Sequence, residues 1–249
     1  MNKSRLVYRK RLANDVYKMT FDTDTCRFSR PGQYALIMIG ERARPYQVCD
    51  YDSNRFTIVF KVRDASDDAL ARAEFGTEYE SETGLGNGFD VDTVPEGAVL
   101  AADSMGVSEM LELARTLLIR GKRFRLVLGY KTKEDIYMVD SFRHICTDIE
   151  VLTLDGSNGR GGMASDSVRK SDYVCASGSP AMLKAITAKA SDGQISFSNM
   201  MSVSAEEGGD FDVALRKGIV RCSTEGPVFR LNEVNWNDQA LEHWGNCTM

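Results

Sequence analysis

The chain has 249 residues, of which 43% are hydrophobic and 27% are charged, and its formal net charge is −5. A chain of this length and composition can bury an ordinary core and is expected to divide into two or three domains. The negative charge gives no electrostatic reason to expect nucleic acid or an anionic membrane as a partner, and no stretch approaches the ~18 apolar residues of a membrane span.

The six cysteines, at positions 26, 49, 146, 175, 222 and 247, have neither paired nor metal-ligand spacing. The N-terminal residues run directly into an alternating, strand-like pattern without an apolar signal region. Together these features predict a cytoplasmic protein with reduced thiols. With His144 and His243 as its two histidines, the chain is not expected to form a histidine-rich zinc site.

Residues 1–93 predict a small antiparallel β-barrel. Short segments rich in β-branched and aromatic residues, such as 16–21, 34–39 and 56–62, alternate with turn signals such as Pro31-Gly32. Several short strands with regular turn signals are typical of an all-β barrel or sandwich.

Residues 94–195 predict a different architecture. A buried-strand run at 97–102 precedes apolar residues at helical spacing from Val107 to Leu118, and Gly121 follows as the stop signal. Further strands are predicted at residues 124–128, 149–154 and 173–176, followed by a helix over 180–190 with proline in its first turn. Alternating strands and helices predict a parallel sheet with helices on both faces. Residues 196–249 are irregular in pattern, with a polar, glycine-rich loop at 206–210.

Three segments of the chain carry a family resemblance. Residues 83–89 read Thr-Gly-Leu-Gly-Asn-Gly-Phe, residues 44–47 read Arg-Pro-Tyr-Gln, and residues 221–229 read Arg-Cys-Ser-Thr-Glu-Gly-Pro-Val-Phe. In these segments the chain resembles the electron-transfer subunit of class 1B dihydroorotate dehydrogenase, a ferredoxin-reductase-like protein of pyrimidine biosynthesis. The resemblance implies an FAD-binding barrel at 1–93, a Rossmann-like NAD(P)-binding domain at 94–195 and a remnant of an iron–sulfur cluster domain at 196–249.

The resemblance assigns the first flavin contacts to an Arg-Pro-x-Ser motif, whose arginine meets the pyrophosphate while the next residues line the isoalloxazine ring. Arg44, Pro45 and Tyr46 match this motif, whereas Gln47 replaces the serine. Arginine suits the task because its planar fork donates bidentate hydrogen bonds to phosphate. Without the resemblance, Arg44-Pro45 would be interpreted as the start of a strand with a surface charge.

The second flavin segment of the family, Leu-Tyr-Arg-Val-Val-Gly-Lys-Gly-Thr, corresponds to residues 59–67, with Val59, Phe60 and Lys61 as implied cofactor contacts. Both glycines are gone, and Ser66-Asp67 stands where Gly-Thr would donate to the pyrophosphate. The carboxylates at 64, 67 and 68 would lie near a diphosphate, and like charges at close range repel unless they are paired. This substitution predicts that any FAD is held weakly.

The nucleotide-binding turn has changed as well. The family's Gly-Gly-Gly-Ile-Gly corresponds to Ala-Asp-Ser-Met-Gly at residues 102–106, so that Gly106 remains as an implied cofactor contact. Asp103 or Ser104 is predicted to cap the next helix and to take the N–H groups that a dinucleotide phosphate would use. Asp155 and Gly156 begin a retained Asp-Gly-Ser-x-Gly loop, which the resemblance places near the nicotinamide nucleotide.

The redox centres of the family are altered in the same way. Ser177 replaces a cysteine that lies beside the hydride-transfer centre, and it stays a candidate catalytic residue because serine can still form hydrogen bonds. Cys222 corresponds to the last of four cluster ligands, but Val203, Gly208 and Phe211 stand at the other three positions. Since such clusters need four ligands, normally thiolates, the sequence predicts no [2Fe–2S] cluster and no metal site.

Two functions therefore remain open. One is a flavoprotein oxidoreductase that passes electrons from NAD(P)H through FAD to a partner. The other is a non-catalytic paralogue with an interaction, regulatory or ligand-sensing role, because a fold does not fix a function. The implied partner is a dihydroorotate dehydrogenase-like catalytic subunit or a second copy of the chain. Trp236 and Trp244 of the C-terminal segment would either anchor that interface or pack the tail onto the barrel.

Overall fold

The computed structural model of the protein describes residues 1–203 and 210–239. Gly208, Trp244 and Cys247, which the sequence analysis singled out, lie outside the described residues, as does most of the predicted loop at 206–210.

The N-terminal part is a closed antiparallel barrel of six strands. The strands are β1 (Asn2–Ala13), β2 (Val16–Thr23), β3 (Tyr34–Ile39), β4 (Arg42–Tyr51), β5 (Arg55–Lys61) and β6 (Glu78–Leu85). Their order around the barrel is β1-β2-β5-β4-β3-β6. The side chains of the barrel core include Phe21, Tyr46 and Ile58. The predicted barrel is therefore confirmed.

A short helix, α1 (Ala65–Arg72), follows β5 and contributes to the barrel core. Asp64 is its N-cap, and its side chain accepts hydrogen bonds from the backbone N–H groups of Ser66 and Asp67. Leu70 and Ala71 are buried with the barrel side chains. The sequence pattern did not predict this helix, because only two of its eight residues are apolar and buried against the barrel.

The second part of the chain is built on a six-stranded sheet. Its strands are β7 (Ala98–Asp103), β8 (Phe124–Tyr130), β9 (Ile149–Thr153), β10 (Tyr173–Ser177), β11 (Asp192–Ser196) and β14 (Val228–Arg230). Their order in the sheet is β14-β11-β10-β7-β8-β9, and β14 alone is antiparallel to its neighbour. The helices between them are α2 (Gly106–Ile119), α3 (Val139–Arg143) and α4 (Pro180–Lys189).

Helices cover both faces of this sheet, as the sequence predicted. Along β7, Val99 and Ala101 pack in the same cluster as α4, whereas Leu100 and Ala102 pack in the same cluster as α2. Adjacent residues of one strand thus enter two different cores, as the two-residue period of a strand requires.

The C-terminal segment is more ordered than its sequence pattern indicated. It contains α5 (Ser198–Val203), the hairpin β12 (Asp212–Leu215) and β13 (Gly218–Arg221), and α6 (Cys222–Glu225) before β14 completes the sheet. Each element has only three to six residues, which is too short for a periodic pattern to be recognised. The irregular pattern of the sequence thus corresponds to a series of very short elements.

The barrel and the sheet share a core. Val16, Cys49 and Val59 of the barrel pack in the same cluster as α2 and β7, and both α2 and α5 contact β4. This arrangement brings the side chains of β4 against the N-terminal turn of α2. No helix of the described residues combines the length and the apolarity that crossing a membrane requires.

Candidate functional site

Arg44, on β4, forms a two-pronged ion pair with Asp64. Its Nη1 and Nη2 donate to the two carboxylate oxygens of Asp64, each at 2.6 Å. The hydrogen bonds from Arg44 hold the pKa of Asp64 well below its usual range, and the backbone N–H groups of α1 lower it further. The arginine that the resemblance assigns to a pyrophosphate is thus bound to a carboxylate of the same chain.

A second carboxylate lies deeper in this cluster. Asp67 is fully buried, and it accepts hydrogen bonds from the Tyr46 hydroxyl at 3.0 Å and from Arg63 Nε at 3.0 Å. Arg44 Nη1 lies 3.6 Å from Asp67 Oδ1. The Tyr46 ring is 1% exposed and packs edge-on to Phe60 in the barrel core, with 5.4 Å between ring centroids. Tyr46 therefore faces α1 and the barrel interior, where the resemblance implied a flavin ring beside it.

Glu109, in the first turn of α2, is the centre of a second cluster. Its Oε2 accepts from Ser177 Oγ at 2.5 Å, from Ser198 Oγ at 2.6 Å and from Gln47 Nε2 at 3.3 Å, and its Oε1 accepts from Ser196 Oγ at 2.7 Å. All five side chains are at least 97% buried. One carboxylate thus joins the barrel strand β4 to β10, β11 and α5.

The electrostatics of Glu109 differ from those of Asp64. Burial raises the pKa of Glu109, and the hydrogen bonds from the three serines and Gln47 partly oppose that rise. Among the residues that the structure describes, no cation forms an ion pair with this carboxylate. The group is satisfied by neutral donors only, and each of those donors is consumed by the contact.

The end of β7 does not cap the helix that follows it. The Asp103 carboxylate turns to the next loop and accepts from Ser179 N at 2.5 Å and from Ser179 Oγ at 2.6 Å. Ser104 adopts a left-handed backbone, with φ of 49°, and the N-cap position of α2 is Met105, without a side-chain hydrogen bond. The prediction that Asp103 or Ser104 caps α2 was wrong, because the neighbouring β10–α4 turn offers Asp103 two donors.

Two glycines allow this close approach of turns. A side chain at Gly106 would overlap the carbonyl oxygen of Ser177, and one at Gly178 would overlap the Asp103 carboxylate. Gly178 also has a φ of 151°, which favours glycine. Gly106 therefore serves the packing of one turn against the other, and burial raises the pKa of Asp103 between them to about 6.

The remaining barrel positions assigned by the resemblance are divided between core and surface. Pro45, Val59 and Phe60 are buried. Lys61 is exposed and lines a cavity of about 240 Å³ together with Ser104, Met105, Lys131 and Tyr137. This cavity lies beside the N-terminal end of α2.

Asp155 and Gly156 lie apart from both clusters, on an exposed loop after β9. The Asp155 carboxylate accepts from Ser157 N at 3.0 Å and from Ser157 Oγ at 2.7 Å, and these bonds lower its pKa. Gly156 has a φ of 70° and closes the turn. The two residues thus shape a local turn in the described structure.

Two of the positions assigned to an iron–sulfur cluster, Phe211 and Cys222, are occupied by core residues. Phe211 and Cys222 are buried in one cluster with Phe197, Phe229 and Trp236, and the Phe197 and Trp236 rings stack at 5.8 Å. Burial raises the pKa of the Cys222 thiol, which opposes thiolate formation. Within the described ranges, 1–203 and 210–239, no group of three or more potential ligands could hold a metal ion.

The residues do not fit FAD as they are arranged. The Arg44 fork and the N-terminal turn of α1 are both bound to Asp64, and Gln47 and Ser177 are both bound to Glu109. Arg44 Nε is buried and has no hydrogen-bond partner among the residues that the structure describes. FAD could bind these groups only if their hydrogen bonds to Asp64 and Glu109 were broken first.

The sequence analysis did not find the Glu109 cluster. An acidic residue in the first turn of a helix is ordinary, because it interacts favourably with the helix dipole, and Ser196 and Ser198 carry no signal of their own. The one available signal was the position of Glu109 between apolar residues that continue as the buried face of α2.

No model of a known protein family matches the chain. Curated relatives nevertheless cover most of it, and they are named electron transfer subunits of dihydroorotate dehydrogenase B (NAD(+)). The protein from Lysinibacillus sphaericus is 27% identical over 248 residues, which span 91% of this chain and 95% of the relative. The protein from Fusobacterium nucleatum is 29% identical, over 90% of this chain and 94% of the relative.

Solved structures are similar to the chain in fold. A chain of the NADH-dependent reduced ferredoxin-NADP oxidoreductase, studied for flavin-based electron bifurcation, has a TM-score of 0.80 and 25% identity, over 98% of this chain and 93% of that one. Phthalate dioxygenase reductase has a TM-score of 0.63 at 19% identity, over 75% of this chain and 63% of that one, and it shares the fold. The chain thus has the ferredoxin-reductase-type fold and resembles the electron transfer subunit of dihydroorotate dehydrogenase B along nine tenths of its length.

Proposed function

We propose that this chain is a counterpart of the dihydroorotate dehydrogenase electron transfer subunit that binds a catalytic subunit without passing electrons through FAD. The observation that carries the proposal is the buried Glu109 carboxylate, which binds both Gln47 and Ser177. By the resemblance, these two residues would face the flavin ring and the hydride-transfer centre. In this chain they face one another across a single carboxylate.

The geometry of the Glu109 cluster supports the proposal that no cofactor ring lies between the barrel and the sheet. Ser177 Oγ and Ser198 Oγ lie 2.5 and 2.6 Å from the same oxygen, and Gln47 Nε2 lies 2.7 Å from Ser198 Oγ. A planar ring system inserted here must break these contacts and leave a buried carboxylate with fewer donors. An unsatisfied buried polar group costs about 1–3 kcal/mol, and more when it is charged.

The C-terminal segment supports the same proposal. Phe211 stands where the resemblance requires a third cluster thiolate, and its ring lies 6.4 Å from that of Phe197 in a packed aromatic core. Cys222, at the fourth position, is fully buried in that core. This packing is consistent with a chain that holds no [2Fe–2S] cluster.

The proposed partner is a dihydroorotate dehydrogenase-like catalytic subunit, because the curated relatives are named as electron transfer subunits of such an enzyme. Trp236 is 9% exposed and stacks on Phe197, so it packs within the chain and is not available as an exposed anchor. Ile219, on the β12–β13 hairpin of the same segment, is 72% exposed and is the better candidate contact.

Two measurements test the proposal. Purified protein incubated with excess FAD and then desalted should show no flavin absorption, and it should co-purify with the catalytic subunit of its source. Ile219→Asp should weaken that association, whereas Ile119→Asp, at the end of α2 where the side chain is 85% exposed, should leave it intact. A stoichiometric flavin spectrum would overturn the proposal that the chain works without FAD. A catalytic subunit that does not co-purify with the protein would overturn the proposed partner.

A second candidate is electron transfer from NAD(P)H through FAD. It is favoured by the N-terminal end of α2, which has no side-chain cap and lies beside the cavity lined by Lys61 and Lys131. Such a helix end can accept a phosphate group. Rapid anaerobic reduction of a bound flavin by NADH would establish this candidate, and a protein that binds neither NADH nor NADPH in a fluorescence titration would exclude it.

A further inference from the structure

The Arg44 fork and the first turn of α1 converge on one carboxylate. Arg44 donates two bonds of 2.6 Å to Asp64, and the N–H groups of Ser66 and Asp67 donate to Asp64 Oδ1 at 3.0 and 2.9 Å. Four donors from two separate elements thus surround a single anion.

This set of donors is the one that proteins use for phosphate. A guanidinium fork matches two oxygens of a phosphate, and the N–H groups of a helix N-terminus point at a third. The Arg44 side chain is only 7% exposed, yet its Nε has no hydrogen-bond partner within the described part of the chain, so Asp64 leaves one buried donor of Arg44 unused. An anion with more acceptor oxygens than a carboxylate would satisfy it.

The place that Asp64 occupies is open to solvent, since its side chain is 40% exposed. We propose that Asp64 is a built-in occupant of a phosphate site, and that its carboxylate keeps out the diphosphate of a nucleotide that Arg44 and α1 would otherwise bind. On this proposal the hydrogen-bond donors of the phosphate site are all present, and Asp64 occupies the position of the phosphate.

The charges of the cluster explain why Asp64 excludes a second anion. Arg44 and Arg63 face Asp64 and Asp67, with N–O distances of 2.6, 3.6 and 3.0 Å, so the positive and negative charges are equal in number. A diphosphate added to this cluster meets no net attraction. Without Asp64 the cluster has one uncompensated positive charge, beside the N-terminal end of α1.

The test is the binding of inorganic pyrophosphate, measured by isothermal titration calorimetry at low ionic strength. Asp64→Ala should bind pyrophosphate roughly tenfold more tightly than the wild type, or better, and added salt should weaken the binding. Asp68→Ala is the matched control, because it removes a carboxylate of the same helix turn that pairs with Arg72 and makes no contact with Arg44. Asp68→Ala should bind like the wild type.

Arg44→Ala added to Asp64→Ala should abolish the gained binding. Asp64→Asn keeps an N-cap side chain and removes the charge, so it should also gain affinity and serves if Asp64→Ala does not fold. A folded Asp64→Asn that binds pyrophosphate no better than Asp68→Ala would show that Asp64 is only a helix cap. The inference and the proposed function are tested by different measurements: a stoichiometric flavin spectrum of the wild type contradicts the proposed function, whereas an unchanged affinity for pyrophosphate after the loss of Asp64 contradicts the inference.

Discussion

An aspartate carboxylate binds the N-terminal end of α1, and another binds the N-terminal end of α4. The pKa values of these two aspartates are shifted in opposite directions. Asp64 binds α1 and is paired with Arg44, which holds its pKa well below the usual range. Asp103 binds Ser179 at the start of α4 without a cation, and burial raises its pKa to about 6. Hydrogen bonds at a helix end therefore do not offset the effect of full burial on the pKa of Asp103, whereas Arg44 and partial exposure to solvent keep the pKa of Asp64 low.

The comparison also bears on how a phosphate-binding fold can lose its ligand. Asp64 and Asp103 both stand where the resemblance has glycine in a phosphate-binding turn. The Asp64 carboxylate supplies an anion, from within the chain, to the donors that the resemblance assigns to a phosphate. Asp103 instead binds Ser179 at the start of α4 and leaves the N-terminal end of α2 without a side-chain cap.

Glu109 differs from both aspartates, because its main partners are serine hydroxyls and Gln47 and not a cation or a helix end. Glu109→Ala should destabilise the protein by about 2–4 kcal/mol, because it leaves buried serine hydroxyls without their acceptor and opens a cavity. Glu112→Ala, on the same helix and paired with Arg115 at 3.7 Å, should cost below about 1 kcal/mol. Urea denaturation of both variants measures the difference, and equal costs would mean that the Glu109 network contributes little.

The pH dependence of stability should separate Asp103 from Asp64. The folded pKa of Asp103 is raised, so its stabilising contribution is complete below the unfolded pKa, about 4, and is lost as the pH rises through about 6. Asp103→Asn should therefore gain about 2–3 kcal/mol relative to the wild type between pH 4 and pH 7. Denaturation at several pH values gives this difference, and a constant offset between the two proteins would contradict it.

The sequence was sufficient to predict the barrel, the parallel sheet and the helices α2 and α4, because their apolar residues repeat over many positions. It was not sufficient for α1, where residues 64–68 are mostly polar. It located Arg44 at an anion site, but it treated Asp64 as a repulsive neighbour when the structure has it as the partner. The Glu109 contacts join residues 62 to 89 positions apart, so no local pattern could reveal them.

The two hydrogen bonds of the Arg44 guanidinium should contribute to the stability of the protein beyond the effect of its positive charge. Arg44→Lys keeps the positive charge but loses one of the two hydrogen bonds to Asp64, so it should cost about 1–2 kcal/mol. Arg72→Lys is the matched control, because Arg72 pairs with Asp68 at the surface and is 80% exposed; it should cost less than about 0.5 kcal/mol. Chemical denaturation checks both, and a Lys variant as stable as the wild type would mean that one bond suffices.

The smallest expected effect completes the comparison of the two aspartates. The folded pKa of Asp64 is lowered, so its contribution is present above the unfolded pKa of about 4 and is lost as the pH falls below it. Asp64→Asn keeps the helix cap and should be less stable than the wild type by about 1 kcal/mol at neutral pH, a modest value because the side chain is 40% exposed and solvent screens the pair. The deficit should shrink in acid, whereas the advantage of Asp103→Asn appears as the pH rises. Denaturation of both variants at matched pH values measures the two slopes, and slopes of the same sign would mean that Arg44 does not govern the ionisation of Asp64.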